Sequence, residues 1–201
     1  MSSRLPGKVL LPLCNSTILG FLIKRLNSKF PGIPVVVLTG GEGAELVSFY
    51  AQKYGAEVIV GDEDNVLSRF IEAACTFKPK YFVRLTADNP FIDLELVKLG
   101  LEYILDQKVA CVSTRYITHT SIGFSYHGVA KGHNFDVFDR SAFLDLFSTK
   151  ALNCAASREH VITQYLLNQD YTRLSEESLD FPLNEQTIDT FHDYLRIIKT
   201  I

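Results

Sequence analysis

The stretch Lys80-Tyr81-Phe82-Val83-Arg84-Leu85-Thr86-Ala87-Asp88-Asn89-Pro90 decides the architecture of this chain. Lys80 to Leu85 is an apolar run of strand length. Asp93 is placed to cap a helix, and Leu94, Val97, Leu101 and Ile104 then form one apolar stripe at helical spacing. Asp88 therefore sits between a strand and a helix. Open α/β sheets bind ligands in the crevice beyond the carboxyl ends of their strands, which is where a metal-binding carboxylate belongs.

The alternation continues to either side. Ser16 is a candidate cap for a helix to about Asn27, and Pro34 to Thr39 reads as a buried strand ending at Gly40-Gly41. Leu46, Val47, Tyr50 and Tyr54 keep helical spacing, Glu57 to Val60 is a second strand, and Val66 to Phe77 a further helix. Beyond a strand at Val109 to Thr114 the pattern weakens. Gly123, Gly128 and Gly132 punctuate β-like stretches as far as Asp139, where hairpins are expected. Helices are expected at Ser141 to Thr149, Ser157 to Asn168 and from Thr190 onward. This is an α/β pattern: a mostly parallel sheet with helices on both faces.

A chain of 201 residues, 47% of them hydrophobic, suits one domain with one core. The balance of 20 basic against 23 acidic residues, a net charge of -3, argues against nonspecific nucleic-acid binding, so any phosphate-binding charge must be local. Cys14, Cys75, Cys111 and Cys154 are far apart and read as reduced, mostly buried thiols of a cytoplasmic protein. No run reaches membrane-span length, and the N-terminus lacks a signal-peptide core. A soluble protein without a membrane partner is expected.

Arg4-Leu5-Pro6-Gly7-Lys8 brackets a Pro-Gly pair with two cations. Gly7 lets an anion approach the backbone, Pro6 stiffens the turn, and Arg4 and Lys8 can neutralise a triphosphate. Val9 after Lys8, and the lack of a Gly five residues before Gly7, exclude a Walker loop. A surface turn with two solvated cations is the alternative. Asp88 has its own alternative as an Asx turn before Pro90, and Asp189 as a helix N-cap. Arg69 reads equally as a surface Arg paired with Asp62, Glu63 or Asp64.

Five blocks carry a resemblance: the opening turn from Ser2-Ser3 to Val9-Leu10; Gly61-Asp62-Glu63-Asp64-Asn65-Val66-Leu67-Ser68-Arg69-Phe70; Val83 to Asp93; Arg158-Glu159-His160-Val161; and Thr187-Ile188-Asp189-Thr190 with Asp193. In this order they resemble the sugar-acid cytidylyltransferases, which make CMP-neuraminate and CMP-3-deoxy-manno-octulosonate, and above all their spore-coat polysaccharide branch. The resemblance implies a Rossmann-like nucleotidyltransferase fold and a magnesium-dependent transfer of CMP from CTP to an anionic sugar acid, with loss of pyrophosphate. It also implies a homodimer. Ser3, Arg4, Gly7, Lys8 and Arg69 would bind the nucleotide, Lys8 and Asp88 would carry the catalysis, and Asp88 and Asp189 would hold magnesium. The sugar side would comprise Asn134, Asp136, Arg158, Glu159 and His160.

The chain departs from the family where Gly-Leu-Asp-Val-Glu-Val-Phe becomes Gly132-His133-Asn134-Phe135-Asp136-Val137-Phe138. An acid becomes the amide Asn134 and a Glu shortens to Asp136. These two changes fall on the expected sugar wall, which keeps open an altered acceptor or a noncatalytic nucleotide-sugar binding homologue. A glycosyltransferase is a further alternative, though those enzymes use an Asp-x-Asp pair and this chain reads Asp88-Asn89-Pro90. The family's phosphate loop also follows a short apolar strand, whereas this chain opens inside the loop at Met1-Ser2-Ser3. The expectation is an N-terminally truncated domain whose strands at Pro34–Thr39 and Lys80–Leu85 lie about 9 to 10 Å apart with unpaired facing edges.

Overall fold

The computed structural model describes residues 5, 7–120, 123–148, 158, 160–168, 171–174 and 184–199. Ser3, Arg4, Glu159 and Cys154 lie outside the described residues.

A short 3-10 turn at Lys8–Leu10 leads into a small antiparallel pair, β1 (Pro12–Leu13) and β2 (Ser16–Thr17). The first helix, α1 (Ile18–Lys29), is capped by Thr17, whose hydroxyl accepts from the Gly20 amide, and not by Ser16. β3 (Val36–Gly40), α2 (Ala44–Lys53), β4 (Glu57–Gly61), α3 (Val66–Phe77) and β5 (Tyr81–Arg84) follow in strict alternation. Asp93 caps α4 (Leu94–Gln107) through the amides of Glu95 and Leu96, as its position predicts.

β6 (Cys111–Ser113) comes next, then the antiparallel hairpin of β7 (Arg115–Thr120) and β8 (Gly123–Gly128) in the predicted hairpin region. β9 (Asp136–Asp139), α5 (Arg140–Ser148), α6 (Thr163–Asn168), β10 (Thr172–Arg173) and α7 (Phe191–Ile198) complete the order. α6 starts at Thr163, after the residue expected to open it, because the amide and hydroxyl of Thr163 both bond the His160 carbonyl in a turn.

The strands form an α/β arrangement with one inversion. β3 and β4 pair in parallel from Val36 opposite Glu57 to Gly40 opposite Gly61. β10, β6, β9 and β5 form a second sheet in that order, in which β9 runs antiparallel to both neighbours. β5 and β6 are therefore parallel to each other with β9 inserted between them.

Apolar residues fill both faces. Tyr81, Val83 and Leu85 point into a cluster with Leu22, Val97 and Ile104. Phe82, alternating with them, faces Leu67, Phe138 and Phe143 on the other side. The Phe82 and Phe143 rings meet edge to face with centroids 5.0 Å apart. Helices on both faces explain why these strands are apolar throughout.

Two expectations need correction. β3 reads as a buried strand, yet all five of its residues are only half-buried. β3 and β5 are not paired with one another, so β3 has β4 on one edge and no strand on the other among the described residues. The thiols also differ: Cys111 is buried, but Cys14 and Cys75 are exposed. Among the described residues, no helix is long and apolar enough to cross a membrane.

Candidate functional site

Gly7 adopts φ 69, the left-handed conformation that a residue with a Cβ takes only under strain, and this turns the chain into the 3-10 segment. The turn closes through Lys8 N–H to the Leu5 carbonyl at 3.2 Å and Leu10 N–H to the Gly7 carbonyl at 2.9 Å. It aims Lys8 inward. The residue is buried, and its ammonium donates to Asp88 Oδ2 at 2.7 Å, to the Ile188 carbonyl at 2.8 Å and to Asp189 Oδ1 at 3.2 Å. All three ammonium donors are thereby engaged.

Asp88 and Asp189 arrive from opposite ends of the chain. The Ile188 amide donates to the Asp88 carbonyl at 2.9 Å, and the fully buried Ile188 side chain packs with Leu13 and Ile18. These contacts bring the two carboxylates to a common cation. The cap alternative for Asp189 does not hold, because Thr190 caps α7. The Thr190 hydroxyl and the Asp193 carboxylate form a reciprocal capping box.

The loop carrying Asp88 is held from several sides. Asn89 donates to Thr86 Oγ1 at 2.8 Å, while Arg25 of α1 grips the carbonyls of Pro90 and Ile92 at 2.6 and 3.0 Å. Burial holds the Arg25 pKa below its ordinary value, with Asp93 opposing. His133 accepts from the Asp93 amide through Nδ1 at 3.0 Å and donates from Nε2 to the Asn184 carbonyl at 2.9 Å.

Gly132 lies against the same incoming segment. A Cβ there would come within 2.8 Å of the Gln186 carbonyl carbon and 2.9 Å of the Thr187 nitrogen, and its φ of 104 suits glycine. The Gly132-His133 turn therefore works as a bracket that delivers Asp189. Sequence reading placed this stretch on a sugar wall. The signal for the bracket, a glycine followed by a histidine beside an irregular segment, is too common to single out.

Asp136 is likewise relocated. It is fully buried at the centre of the sheet, opposite Arg84 on β5 and Ser113 on β6. Arg84 donates to its Oδ2 at 3.1 Å and Ser113 to its Oδ1 at 2.7 Å. Its carboxylate neutralises a buried guanidinium instead of facing a cleft. Burial lowers the Arg84 pKa, nearby Arg115 lowers it further, and Asp136 and Asp88 oppose them. An Arg inside the apolar run Tyr81–Leu85 was the available sign of such a buried pair.

Asn134 is half-buried, with its amide oxygen against Gly128 and 3.5 Å from Thr114 Oγ1. Arg158 is exposed and His160 half-buried. Arg69 is 9% exposed and is not a solvated surface residue: it donates to the main-chain carbonyls of Asp62 and Glu63, the latter at 3.3 Å. Burial lowers its pKa against the pull of Asp62 and Glu63. Gly61 leaves room for its stem, since a Cβ there would lie 2.9 Å from Arg69 Cγ. Arg69 thus shapes the loop after β4, and among the described residues no hydrogen bond or ion pair joins it to the Lys8 cluster.

The donor set at Lys8 fits a divalent cation. Two carboxylates already converge on one positive charge, and hard cations such as magnesium take one or two carboxylates together with substrate phosphates. A third acidic or imidazole ligand is lacking among the described residues, which leaves phosphates and water to complete a shell.

A sequence profile of the cytidylyltransferases matches residues 1–200. The spore coat polysaccharide biosynthesis protein SpsF of Bacillus subtilis is 30% identical over 203 residues, covering 96% of this chain and 79% of SpsF. A cytidylyltransferase from Leptospira borgpetersenii superposes over 100% of this chain and 83% of its own length with a TM-score of 0.82 and 28% identity. A CMP:2-keto-3-deoxy-manno-octonic acid synthetase solved with CTP shares the fold at a TM-score of 0.73 and 17% identity, over 100% of this chain and 93% of its own. With a Rossmann-like α/β fold and acidic residues gathered at the carboxyl end of a strand, the chain belongs to the cytidylyltransferase family and is a nucleotidyltransferase.

Proposed function

We propose that the protein transfers CMP from CTP to the hydroxyl of an anionic sugar, for surface polysaccharide or glycan synthesis. The convergence of Lys8 with Asp88 and Asp189 carries this reading. The sugar oxygen forms a bond to the α-phosphorus while the bond from that phosphorus to the bridging oxygen breaks. Pyrophosphate leaves with the bridging electron pair, and the hydroxyl proton passes to solvent. Such a transfer depends on positioning and on neutralising charge.

Asp88 and Asp189 would hold magnesium, which supplies charge neutralisation at the triphosphate when bound. Lys8 gives up a carboxylate as phosphates arrive and turns its ammonium toward the leaving pyrophosphate. Gly7 keeps the turn open to the phosphates, and Ser3 and Arg4, just before it in sequence, are proposed as further nucleotide ligands. Asn134, Arg158, Glu159 and His160 remain the residues proposed for the sugar side.

SpsF and the CTP-bound synthetase support the choice of CTP and of a polysaccharide pathway. A homodimer through the β7–β8 hairpin is part of the proposal, because this hairpin forms a separate ribbon with Tyr116 stacked on His127 and Arg173 3.7 Å over Tyr116. Exposed thiols at Cys14 and Cys75 support a reducing, cytoplasmic compartment.

The test is pyrophosphate release with each nucleoside triphosphate, magnesium and a panel of sugar acids. Release with CTP and one acid acceptor is expected. Failure of every pair, with a folded protein that still binds CTP, would leave a binding homologue.

A further inference from the structure

β5 and β6 run in the same direction, so their carboxyl ends open on one edge of the sheet. Asp88 emerges there just beyond Arg84, the last residue of β5, and Arg115 just beyond Ser113, the last residue of β6. Asn134 enters at the same edge, because β9 runs the other way and begins at Asp136. Ligands of open α/β sheets bind at this edge.

Two guanidiniums lie near a single buried carboxylate here. Asp136 takes Arg84 and the Ser113 hydroxyl, and Ser113 Oγ in turn accepts from the Arg115 amide at 2.9 Å. Arg84 is within electrostatic reach of both Arg115 and Asp88. Among the described residues, no hydrogen bond or ion pair engages the guanidinium of the half-buried Arg115. Its charge is open to a ligand.

Asn134 stands beside it. Arg115 pairs with Gly128 across the β7–β8 ladder, and side chains at paired positions share one face with Cβ atoms about 5 Å apart. Gly128 has no side chain, and a Cβ there would fall 2.1 Å from Asn134 Oδ1. The Asn134 carboxamide therefore fills the place opposite Arg115. A carboxylate at this position, as in the family pattern, would pair with Arg115 and cancel its charge. The amide does not, and its NH2 has no acceptor among the described residues.

We propose that Arg115 and Asn134 form the binding site for the carboxylate of the acceptor sugar and select an acid over a neutral sugar. The guanidinium fork takes both carboxylate oxygens, and the Asn134 NH2 donates to one of them. Asp136 does not compete, since Arg84 and Ser113 already hold it. The acceptor is thereby anchored at the edge that carries Asp88. The identity of the ligand rests on the transfer proposed above; the anion site itself does not.

Calorimetric titration tests it, with 3-deoxy-manno-octulosonate, N-acetylneuraminate and the methyl ester of each as probes. At least one acid is expected to bind about tenfold or more tightly than its ester, and to shift the Arg115 Nε–H resonance. Arg115→Gln and Asn134→Asp should each remove that preference while ester and CTP affinities stay within about twofold of the parent. Acid preference retained in Arg115→Gln, or equal losses for acid and ester in both variants, would overturn the assignment. So would a parent protein that binds each acid no better than its ester, or displacement of the acid by inorganic phosphate at equal affinity, which would make this a phosphate site. CMP transfer separates the two readings. Transfer by the parent with an unchanged acid KM in Arg115→Gln sinks the anion site alone, whereas acid preference lost in both variants of a parent that transfers nothing sinks the reaction alone.

Discussion

The ammonium of Lys8, whose side chain is 9% exposed, lies 2.7 Å from Oδ2 of Asp88. The cation read as a phosphate ligand and the carboxylate read as a metal ligand are thus partners. Asp189 shares the same ammonium at 3.2 Å, so among the described residues two carboxylates meet on one cation.

Replacing Asp88 with Asn keeps the size of the side chain and removes its charge. Turnover with CTP and magnesium is expected to fall about 100-fold or more, in line with roughly 3 kcal/mol of lost transition-state stabilisation. Steady-state kinetics with circular dichroism checks this. Activity within about tenfold of the parent, with an unchanged spectrum, would remove Asp88 from the metal site.

Lys8→Met separates two effects of opposite sign. Loss of a charge-assisted contact should weaken CTP binding about tenfold or more while CMP binding barely changes. Loss of the competing ammonium should tighten binding of manganese alone, because Asp88 and Asp189 would no longer share their charge with Lys8. Calorimetry with CTP and CMP, and electron paramagnetic resonance with manganese, report the two effects separately.

Asp136→Ala leaves Arg84 buried without its carboxylate. A stability loss of about 3 to 5 kcal/mol is expected, since a broken buried pair strands a charge in the sheet. Urea denaturation measures it. Wild-type stability with only an altered acceptor preference would return Asp136 to the sugar side.

Asp193 gives the acid end of the stability curve a definite sign. Burial alone would raise its pKa, but hydrogen bonds from the Thr190 hydroxyl, the Thr190 amide and the Asp189 amide, with Arg196 nearby, hold it below the ordinary 3.8. A depressed carboxylate contributes stability that is present above the unfolded value and is lost as pH falls through the folded one. Thermal melts from pH 6 to pH 2 should show Asp193→Asn less stable than the parent above about pH 4, with the gap closing in stronger acid. A gap independent of pH would refute the assignment.

Much of this was legible in the chain itself. The helix Val66–Phe77 and the cap at Asp93 follow from local periodicity and capping chemistry, which involve residues only a few positions apart. Lys8 and Asp88 were likewise legible as chemistry, one in a Pro-Gly turn and one after a strand. The resemblance of five ordered blocks supplied the family.

Tertiary structure decided the relationships that no local pattern encodes. Lys8 meets Asp189 across 181 positions of sequence, through an Ile188–Asp88 backbone bond that periodicity cannot reveal. Asp136 reads as a polar residue near a presumed cleft, and only the register of β9 between β5 and β6 turns it inward against Arg84. β3 has the composition of a central strand, yet one edge faces a cavity, because pairing depends on which strands are neighbours in space. Residue types and spacing specify local conformation and the available chemistry, while long-range register and packing determine which charges meet and which edges stay open.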